Sequence, residues 1–401
     1  MTTVPPAVTR TPLSPEEVLE NARGMLPGLR ERMSETEKLR RLPDSTVREA
    51  EAAGLTGLLL PRVLGGSGGT AQDFFALVRL LAHGDMSAAW TLSFYTMHAS
   101  LLARFDESAQ KMVFADGAHP RIAFVGRPPG TAVPVEGGYL VSGAWKYGTG
   151  VMHADYALVP AVLKGTESLS LFLVPRDQIE IVDTWQMTTM QGTGSNDIRM
   201  SEGFVPAPLT IDWELWRSRS NPGAALHREP VLGSALNEIA MFLFPAMAVG
   251  AAETMVDEYR TRLDRHPAAF SPLKAGDTTA GQLRYARALS ALRLAQARLD
   301  ATVELSAELN AESPQELTDE MRAVLKLDCI GVLNQVWETV ELVVRGSGTS
   351  IFRTGDATGS YLRAVQALLS HVTADQDGMT TRVGEILLGR AAGPAPSGIF
   401  V

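Results

Sequence analysis

Residues 183–206 read DTWQMTTMQGTGSNDIRMSEGFVP, and this stretch decides the fold. A β-type run, IEIVDTW, ends at Trp185 and another, DIRMSEGFVP, begins at Asp197, with a turn rich in Gly, Thr and Ser between them. Towards the N-terminus lie more short β-type runs, starting near Ile122: RIAFVG, AVPVEGGYLVSGAWKYGTG, ADYALVPAVL and LSLFLVPR. Gly, Pro and Asp punctuate them, and Glu136-Gly137-Gly138-Tyr139 reads as a hairpin turn. Together they make a β-domain of roughly 90 residues, the size of a small sandwich or barrel. The segment PAPLTIDWELWRSRSNPG reads as a linker after it.

Both flanks are helical. Ser14-Pro15-Glu16-Glu17 has the pattern of an N-cap, a Pro at the first helical position and acids in the first turn. Thr70-Ala71-Gln72-Asp73 opens the run FFALVRLLAHGDMSAAWTLSFYTMHASLLARF in the same way. That run is apolar on nearly every face, so at least one of its helices belongs in the core. Helical periodicity returns near Val231 in four long segments, the last being LRAVQALLSHVTADQDGMTTRVGEILLG, and these predict a four-helix bundle. The expected fold class is α+β, mostly α. It comprises an N-terminal helical domain over 1–118, a central β-domain with linker over 119–230, and a C-terminal helical bundle over 231–401.

Composition excludes several classes of function. Lys and Arg total 36 against 45 Asp and Glu, a net charge of -9 that argues against nucleic acid as a partner. Cys329 is the only cysteine, so neither an internal disulfide nor a thiolate zinc site can form. The seven histidines make no HxH, HxxxH or HExxH string, and no metal is expected. The N-terminus lacks a charged-then-apolar signal pattern. The apolar stretch Ile239–Ala252 is too short to span a bilayer and contains Pro245. A cytoplasmic protein without membrane contact is the expectation. The GTGSN string lacks the trailing x-Gly of a nucleophile elbow. The glycines of Leu60–Gly69 fit neither a phosphate loop nor a dinucleotide fingerprint and read as a structural turn.

The order helices, β-domain, bundle, together with the strings at its joints, resembles the acyl-CoA dehydrogenase superfamily over almost the whole chain. LPRVLGGSGG (Leu60–Gly69) is similar to that superfamily's turn after the N-terminal helices. Three further strings resemble its flavin-dependent monooxygenase branch, which includes the oxygenase components of two-component hydroxylases. They are Gly84–Trp90 (GDMSAAW), Gly143–Gly150 (GAWKYGTG), and Asp183–Trp185 with Met190–Asp197, followed by Phe204-Val205-Pro206. The resemblance implies that reduced flavin (FMNH2 or FADH2) and O2 form a C4a-hydroperoxyflavin, which hydroxylates a phenolic or other electron-rich aromatic small molecule. It also implies a separate NAD(P)H:flavin reductase and a homotetramer in which Gly346 and Ser347 contact flavin bound mainly to a neighbouring subunit.

An isoalloxazine ring needs polar groups along one edge and apolar walls on its faces. Thr149, Gly150, Thr193, Gly194 and Ser195 offer the first, and Trp145 and Trp185 are candidates for the second. Many relatives carry Ser where Thr149 stands. The catalytic carboxylate strings of the dehydrogenases are missing. In their place stand Gly346–Phe352 (GSGTSIF) and His371 with Asp375 four residues on, which resemble the monooxygenase branch. An imidazole near neutrality can take or hold a phenol's proton, and a continuous helix would put Asp375 on the same face as His371. His98 is a second catalytic candidate, and Trp90 and Phe124 are candidates for the substrate pocket. Three other readings stand beside this one. The first is N-hydroxylation as in the related amino-sugar nitrososynthases. The second is dehydrogenase or oxidase chemistry with Glu238, Asp257 or Glu338 as base. The third is a non-catalytic relative, to which Ser360 and Ala364 give some weight where many relatives carry Arg and Asp.

Overall fold

Reciprocal caps start the first helical layer. The Ser14 hydroxyl accepts from the Glu17 N–H at 3.2 Å, and the Glu17 carboxylate accepts from the Ser14 N–H at 2.7 Å, opening α1 (Pro15–Glu31). The short helices α2 (Met33–Leu39) and α3 (Asp44–Ala52) follow. Thr70 and Asp73 repeat the reciprocal arrangement, at 2.7 and 3.2 Å, ahead of α4 (Ala71–Ala82). Next come α5 (Met86–Leu102) and α6 (Glu107–Val113). Every residue of α5 except Phe94 is buried, as its all-round apolar sequence predicts. The structure is a computed structural model that describes residues 12–114, 119–229, 231–234, 240–268, 272–312, 317–371 and 374–390.

Among the described residues eight strands follow: β1 (Ile122–Phe124), β2 (Gly130–Val135), β3 (Gly138–Gly148), β4 (Tyr156–Leu163), β5 (Leu169–Pro175), β6 (Glu180–Val182), β7 (Asn196–Pro206) and β8 (Thr210–Asp212). They form one mixed sheet in the order β6-β7-β3-β2-β4-β5-β8, with β1 parallel to the first half of β4. The β2–β3 hairpin turns at Glu136-Gly137 as its sequence predicts, pairing Val135 with Gly138 and placing Gly137 at φ 77°. The segment read as a linker is more ordered than a linker: β8 pairs with β5, and α7 (Trp213–Arg217) and α8 (Pro222–Leu226) follow. Asp212 and Asn221 cap these two helices, a signal that the flanking Pro residues obscure in the sequence.

The chain divides into two compact units. One takes the described residues within Met1–Leu77 and Trp90–Leu236, and the other those within Val78–Ala89 and Asn237–Val401. The second contains α9 (Leu243–Arg265), α10 (Thr279–Glu312), α11 (Asp319–Ser347), α12 (Ala357–Leu369) and α13 (Gln376–Leu387). Here the sequence reading needs correction, because its fourth long helix is two helices. Ser370 ends α12, and the Asp375 carboxylate caps α13 by accepting from the Gly378 N–H at 3.3 Å. Among the described residues no helix is long and apolar enough to cross a membrane.

An ion cluster ties the Val78–Ala89 segment to α9 and α10 within the second unit. Glu253 accepts from Arg79 Nε at 3.1 Å, from Gln296 at 2.5 Å and lies 2.9 Å from His83 Nε2. Burial alone would raise the Glu253 pKa, but hydrogen bonds from His83, Arg79 and Gln296 outweigh it and hold the carboxyl down to about 2. Its stabilising contribution is therefore complete above the ordinary carboxylate range and is lost as pH falls towards 2. Glu253→Ala, which leaves Arg79 without its half-buried partner, should lower stability by about 3 kcal/mol, read as a shift in the urea midpoint near neutral pH.

Candidate active site

The Gly, Thr and Ser turn folds back onto β3. Arg40 anchors its start with a forked ion pair to Asp183 at 2.6 and 2.8 Å. The Asn196 amide oxygen accepts from the Thr184 and Trp185 N–H groups at 3.0 and 2.9 Å, and Trp185 Nε1 donates to the Met190 carbonyl at 3.1 Å. At the end of β3 the register shifts between Trp145 and Gly148, and Tyr147 and Gly150 take φ of 65° and 71°. The Gly150 N–H donates to the Thr193 carbonyl at 2.9 Å, joining the two segments. Tyr95 hydrogen-bonds the Gly150 carbonyl, and a Cβ on Gly150 would lie 2.6 Å from the Tyr95 hydroxyl. Glycine is required there.

This fold-back brings three predicted hydroxyl residues together. Trp90 Nε1 lies 3.2 Å from Thr149 Oγ1, which lies 3.0 Å from Ser195 Oγ. Ser195 Oγ lies 2.8 Å from Thr193 Oγ1, which donates to the Met190 carbonyl at 2.9 Å. All four side chains are buried. Trp145 corrects the sequence reading. It is fully buried, donates Nε1 to the Pro160 carbonyl at 2.9 Å, and lies where a Cβ on Gly130 or Gly143 would come within 2.6 or 2.5 Å of its ring. It packs the sheet and walls no open surface. The aromatic face beside the hydroxyls comes from Tyr147, which sequence reading missed. Its ring is 68% exposed and stands edge-on to Trp185 at 6.3 Å.

Trp90 also joins the hydroxyls to a run of aromatic rings. Trp90, Phe94 and His98 stand four residues apart on α5, with ring centroids 5.1 and 5.0 Å apart in sequence. Phe124 lies 5.9 Å from His98 and packs on Trp213 and Trp216. His98 Nδ1 lies 2.8 Å from the Ile122 carbonyl, which can only accept, so the ring proton is on Nδ1. The Phe124 N–H, 3.3 Å from the same nitrogen, is the weaker contact and cannot share it. Nε2 is left with a lone pair, buried and without a hydrogen-bond partner. Burial pushes the His98 pKa down to about 4, so the ring is neutral at ordinary pH.

The second unit holds the remaining candidates. His371 follows the end of α12, with its ring 5.0 Å from Phe244, and burial lowers its pKa. Its relation to Asp375 differs from the expectation of one helix face, because α12 ends at Leu369, before His371, and Asp375 is occupied as the α13 cap. Gly346 packs against Tyr259 and tolerates no side chain there, and the Ser347 hydroxyl turns back to the Val343 carbonyl at 2.7 Å. Of the alternative carboxylate bases, Asp257 and Glu338 lie exposed on their helices, and Glu238 lies outside the described residues. No group of three His, Cys, Asp or Glu suited to a metal occurs among the described residues.

Known proteins match this arrangement. The acyl-CoA dehydrogenase N-terminal domain model matches residues 16–116 and the C-terminal domain model residues 242–376. A pigment production hydroxylase of Rhodococcus sp. is 30% identical over 384 residues, 95% of this chain and 97% of that protein. The oxygenase subunit HsaA of a flavin-dependent monooxygenase of Mycobacterium tuberculosis is 30% identical over 369 residues, 90% of this chain and 93% of its own. A crystal structure of the M. tuberculosis HsaA monooxygenase superposes with a TM-score of 0.86, covering 97% of this chain and 100% of that one at 26% identity. The oxygenase component of an FADH2-dependent resorcinol hydroxylase of Rhizobium sp. is 25% identical over 380 residues, 88% of this chain and 90% of that protein. The fold and the hydroxyl-lined turn thus define a flavoenzyme of the acyl-CoA dehydrogenase superfamily, and the chain belongs to it. Its branch is that of the HsaA-type oxygenase components. The protein is a flavin-dependent monooxygenase that uses reduced flavin and O2 on a small molecule, with the flavin reduced by a separate reductase.

The residues fit that cofactor. A buried hydroxyl chain, the positive-φ glycines Gly150 and Gly194, and the exposed Tyr147 with the half-buried Trp185 edge-on to it supply polar groups and an apolar ring face side by side. The imidazole of His98 gives a test of the local electrostatics. Its folded pKa of about 4 lies below the ordinary 6.5, so the unfolded chain binds the proton first as pH drops. The stability that His98 contributes is full above pH 6.5 and is lost as pH falls towards 4. His98→Asn keeps a donor for the Ile122 carbonyl and removes the titration. Its urea stability should fall less steeply between pH 6.5 and 4 than the wild type's.

Proposed function

We propose that the enzyme hydroxylates a phenol or similarly electron-rich aromatic, with His98 Nε2 receiving the phenolic O–H. One observation carries this reading: a buried imidazole nitrogen with a free lone pair, set among the rings of Phe94 and Phe124. Flat rings favour an aromatic ligand, and a lone acceptor in an apolar surrounding favours one that brings its own O–H or N–H. When bound, reduced flavin and O2 supply an electrophilic oxygen atom. A phenol is attacked more readily as electron density moves onto its ring, and a hydrogen bond from its hydroxyl to Nε2 does this. With a pKa held down to about 4, His98 serves as an acceptor that polarises the O–H, since it is too weak a base to remove the proton outright. Thr149, backed by its hydrogen-bonded neighbours Ser195 and Thr193, would hold the polar edge of the flavin, and Tyr147 and Trp185 would lie against its ring. The relatives whose names include hydroxylase, one of them a resorcinol hydroxylase, support the substrate class.

His371 remains the second candidate for holding the phenolic proton. The proposal also keeps the homotetramer, in which Gly346 and Ser347 face a neighbour's flavin, and the cytoplasmic location. Apolar side chains exposed on α10 and α11, Leu283 and Leu294 on one and Val324 and Leu327 on the other, suit burial by further subunits.

Two variants decide between the histidines. With chemically reduced flavin and O2 and a panel of simple phenols, His98→Asn should cut hydroxylated product at least roughly tenfold while flavin affinity stays near that of the wild type. Hydrogen peroxide should replace the lost product. Full product from His98→Asn, with product lost in His371→Ala, would transfer the role to His371.

A further inference from the structure

The acceptor nitrogen of His98 is closed off. Nε2 has neither solvent contact nor a hydrogen-bond partner, so an incoming O–H can reach it only where a neighbouring group yields. The other ring nitrogen is held by the Ile122 carbonyl at 2.8 Å, which fixes the imidazole in place. Two half-buried rings touch it, Phe94 at 5.0 Å and Phe124 at 5.9 Å. They differ in freedom. Phe124 belongs to β1 and is wedged from behind by Trp213 and Trp216, with ring centroids 6.5 and 5.7 Å away. Phe94 is the one residue of α5 that keeps part of its surface open. A phenylalanine on a helix has two allowed χ1 wells, near 180° and −60°, so its ring can swing while the backbone stays fixed.

We propose that Phe94 is the gate to His98 Nε2 and, through its bulk, the residue that restricts the enzyme to single-ring phenols. This rests on the reading that Nε2 receives the substrate's O–H. In the closed position the Phe94 ring fills the gap between Trp90 and His98, 5.1 Å from one and 5.0 Å from the other. The space it leaves on swinging out is that of one phenyl ring. A single-ring phenol replaces it, takes over its contacts with Trp90 and brings a hydroxyl to the imidazole. A fused second ring has no room, because the helix is packed on its other sides and does not give. The closed gate also keeps water off Nε2. The incoming hydroxyl therefore displaces no solvent from that nitrogen and satisfies an acceptor that was buried unpaired.

The gate can be tested without flavin. Wild type, Phe94→Ala and the milder Phe94→Leu are treated at neutral pH with diethyl pyrocarbonate, which acylates accessible neutral imidazole. Labelling of His98 is followed by peptide mass spectrometry, with the exposed His266 as internal reference. His98 should be labelled slowly in the wild type and at least roughly tenfold faster in both variants, in proportion to the open fraction. Leu92→Ala removes a buried side chain two residues away, on the opposite side of α5, and should leave the rate near that of the wild type. The size filter is read with reduced flavin, O2 and a mixture of phenol and naphthol. The naphthol-to-phenol product ratio should rise at least roughly tenfold in both Phe94 variants. An unchanged His98 labelling rate in whichever variant folds, judged by circular dichroism, overturns the gate, as does rapid labelling in the wild type. Faster labelling with an unchanged product ratio overturns the size filter. Full product from His98→Asn overturns the phenol reading instead, and the labelling rates still decide whether Phe94 closes His98.

Discussion

Three hydroxyls buried together beside Gly150 have three protons between them, and a carbonyl at one end and an indole at the other leave no choice about where those protons go. Much of the surrounding structure serves to keep that arrangement intact. Arg40 and Asn196 hold the 183–185 segment, Trp185 and Thr193 both reach the Met190 carbonyl, and Tyr95 fixes the backbone at Gly150. Apart from the exposed Arg40–Asp183 pair, each of these contacts satisfies a buried or half-buried polar group. Losing one would leave an unsatisfied partner, which is costlier than the bond is stabilising. The network is therefore rigid for a reason of energy, and rigidity lets a proton direction be inherited by whatever binds there.

Helix α5 couples this network to the aromatic run. Trp90, Phe94 and His98 lie one helical step of four residues apart, about 6 Å of rise for each step. One end of this stripe carries the indole that starts the hydroxyl chain, and the other carries the unpartnered imidazole nitrogen. The span from Trp90 to His98 is about 12 Å along the axis, and Phe94 fills it in ring contact with both. A helix buried on almost every side cannot rotate or slide without disturbing its whole packing, so the two ends keep their separation.

What the sequence makes legible is whatever depends on neighbours in sequence. The caps at Ser14 and Thr70, the turn at Glu136-Gly137 and the burial of α5 all rest on local rules of that kind. Trp145 and Tyr147 show where such rules stop. Side chains alternate along a strand, but the register shift between Trp145 and Gly148 and the positive φ of Tyr147 interrupt the count, so the exposed ring is the one two residues on. His371 and Asp375 show the same limit on a helix. Their spacing suits one face of a continuous helix, yet Asp375 followed by Gly378 is also a cap signal, and the structure follows the cap. The proton direction of the hydroxyl chain could not be read from the string GTGS at all, because it depends on Trp90, a hundred residues away in sequence, and on a carbonyl that no residue type reveals.

Under the proposed function, the choice of imidazole over carboxylate at the substrate position follows from what burial does to each. A dehydrogenase base must hold a negative charge, and a carboxylate buried among aromatic rings would be driven to its protonated, neutral form, in which it can take no further proton. Burial also drives an imidazole neutral, and the neutral form is the one with a lone pair to offer. The same apolar surrounding that would silence a glutamate therefore leaves His98 competent, with the Ile122 carbonyl holding the tautomer that turns the lone pair towards the rings. A site of this kind is suited to polarising a substrate that already has a labile hydrogen on oxygen, and unsuited to removing one from carbon. Oxygen transfer to a phenol asks only for the former.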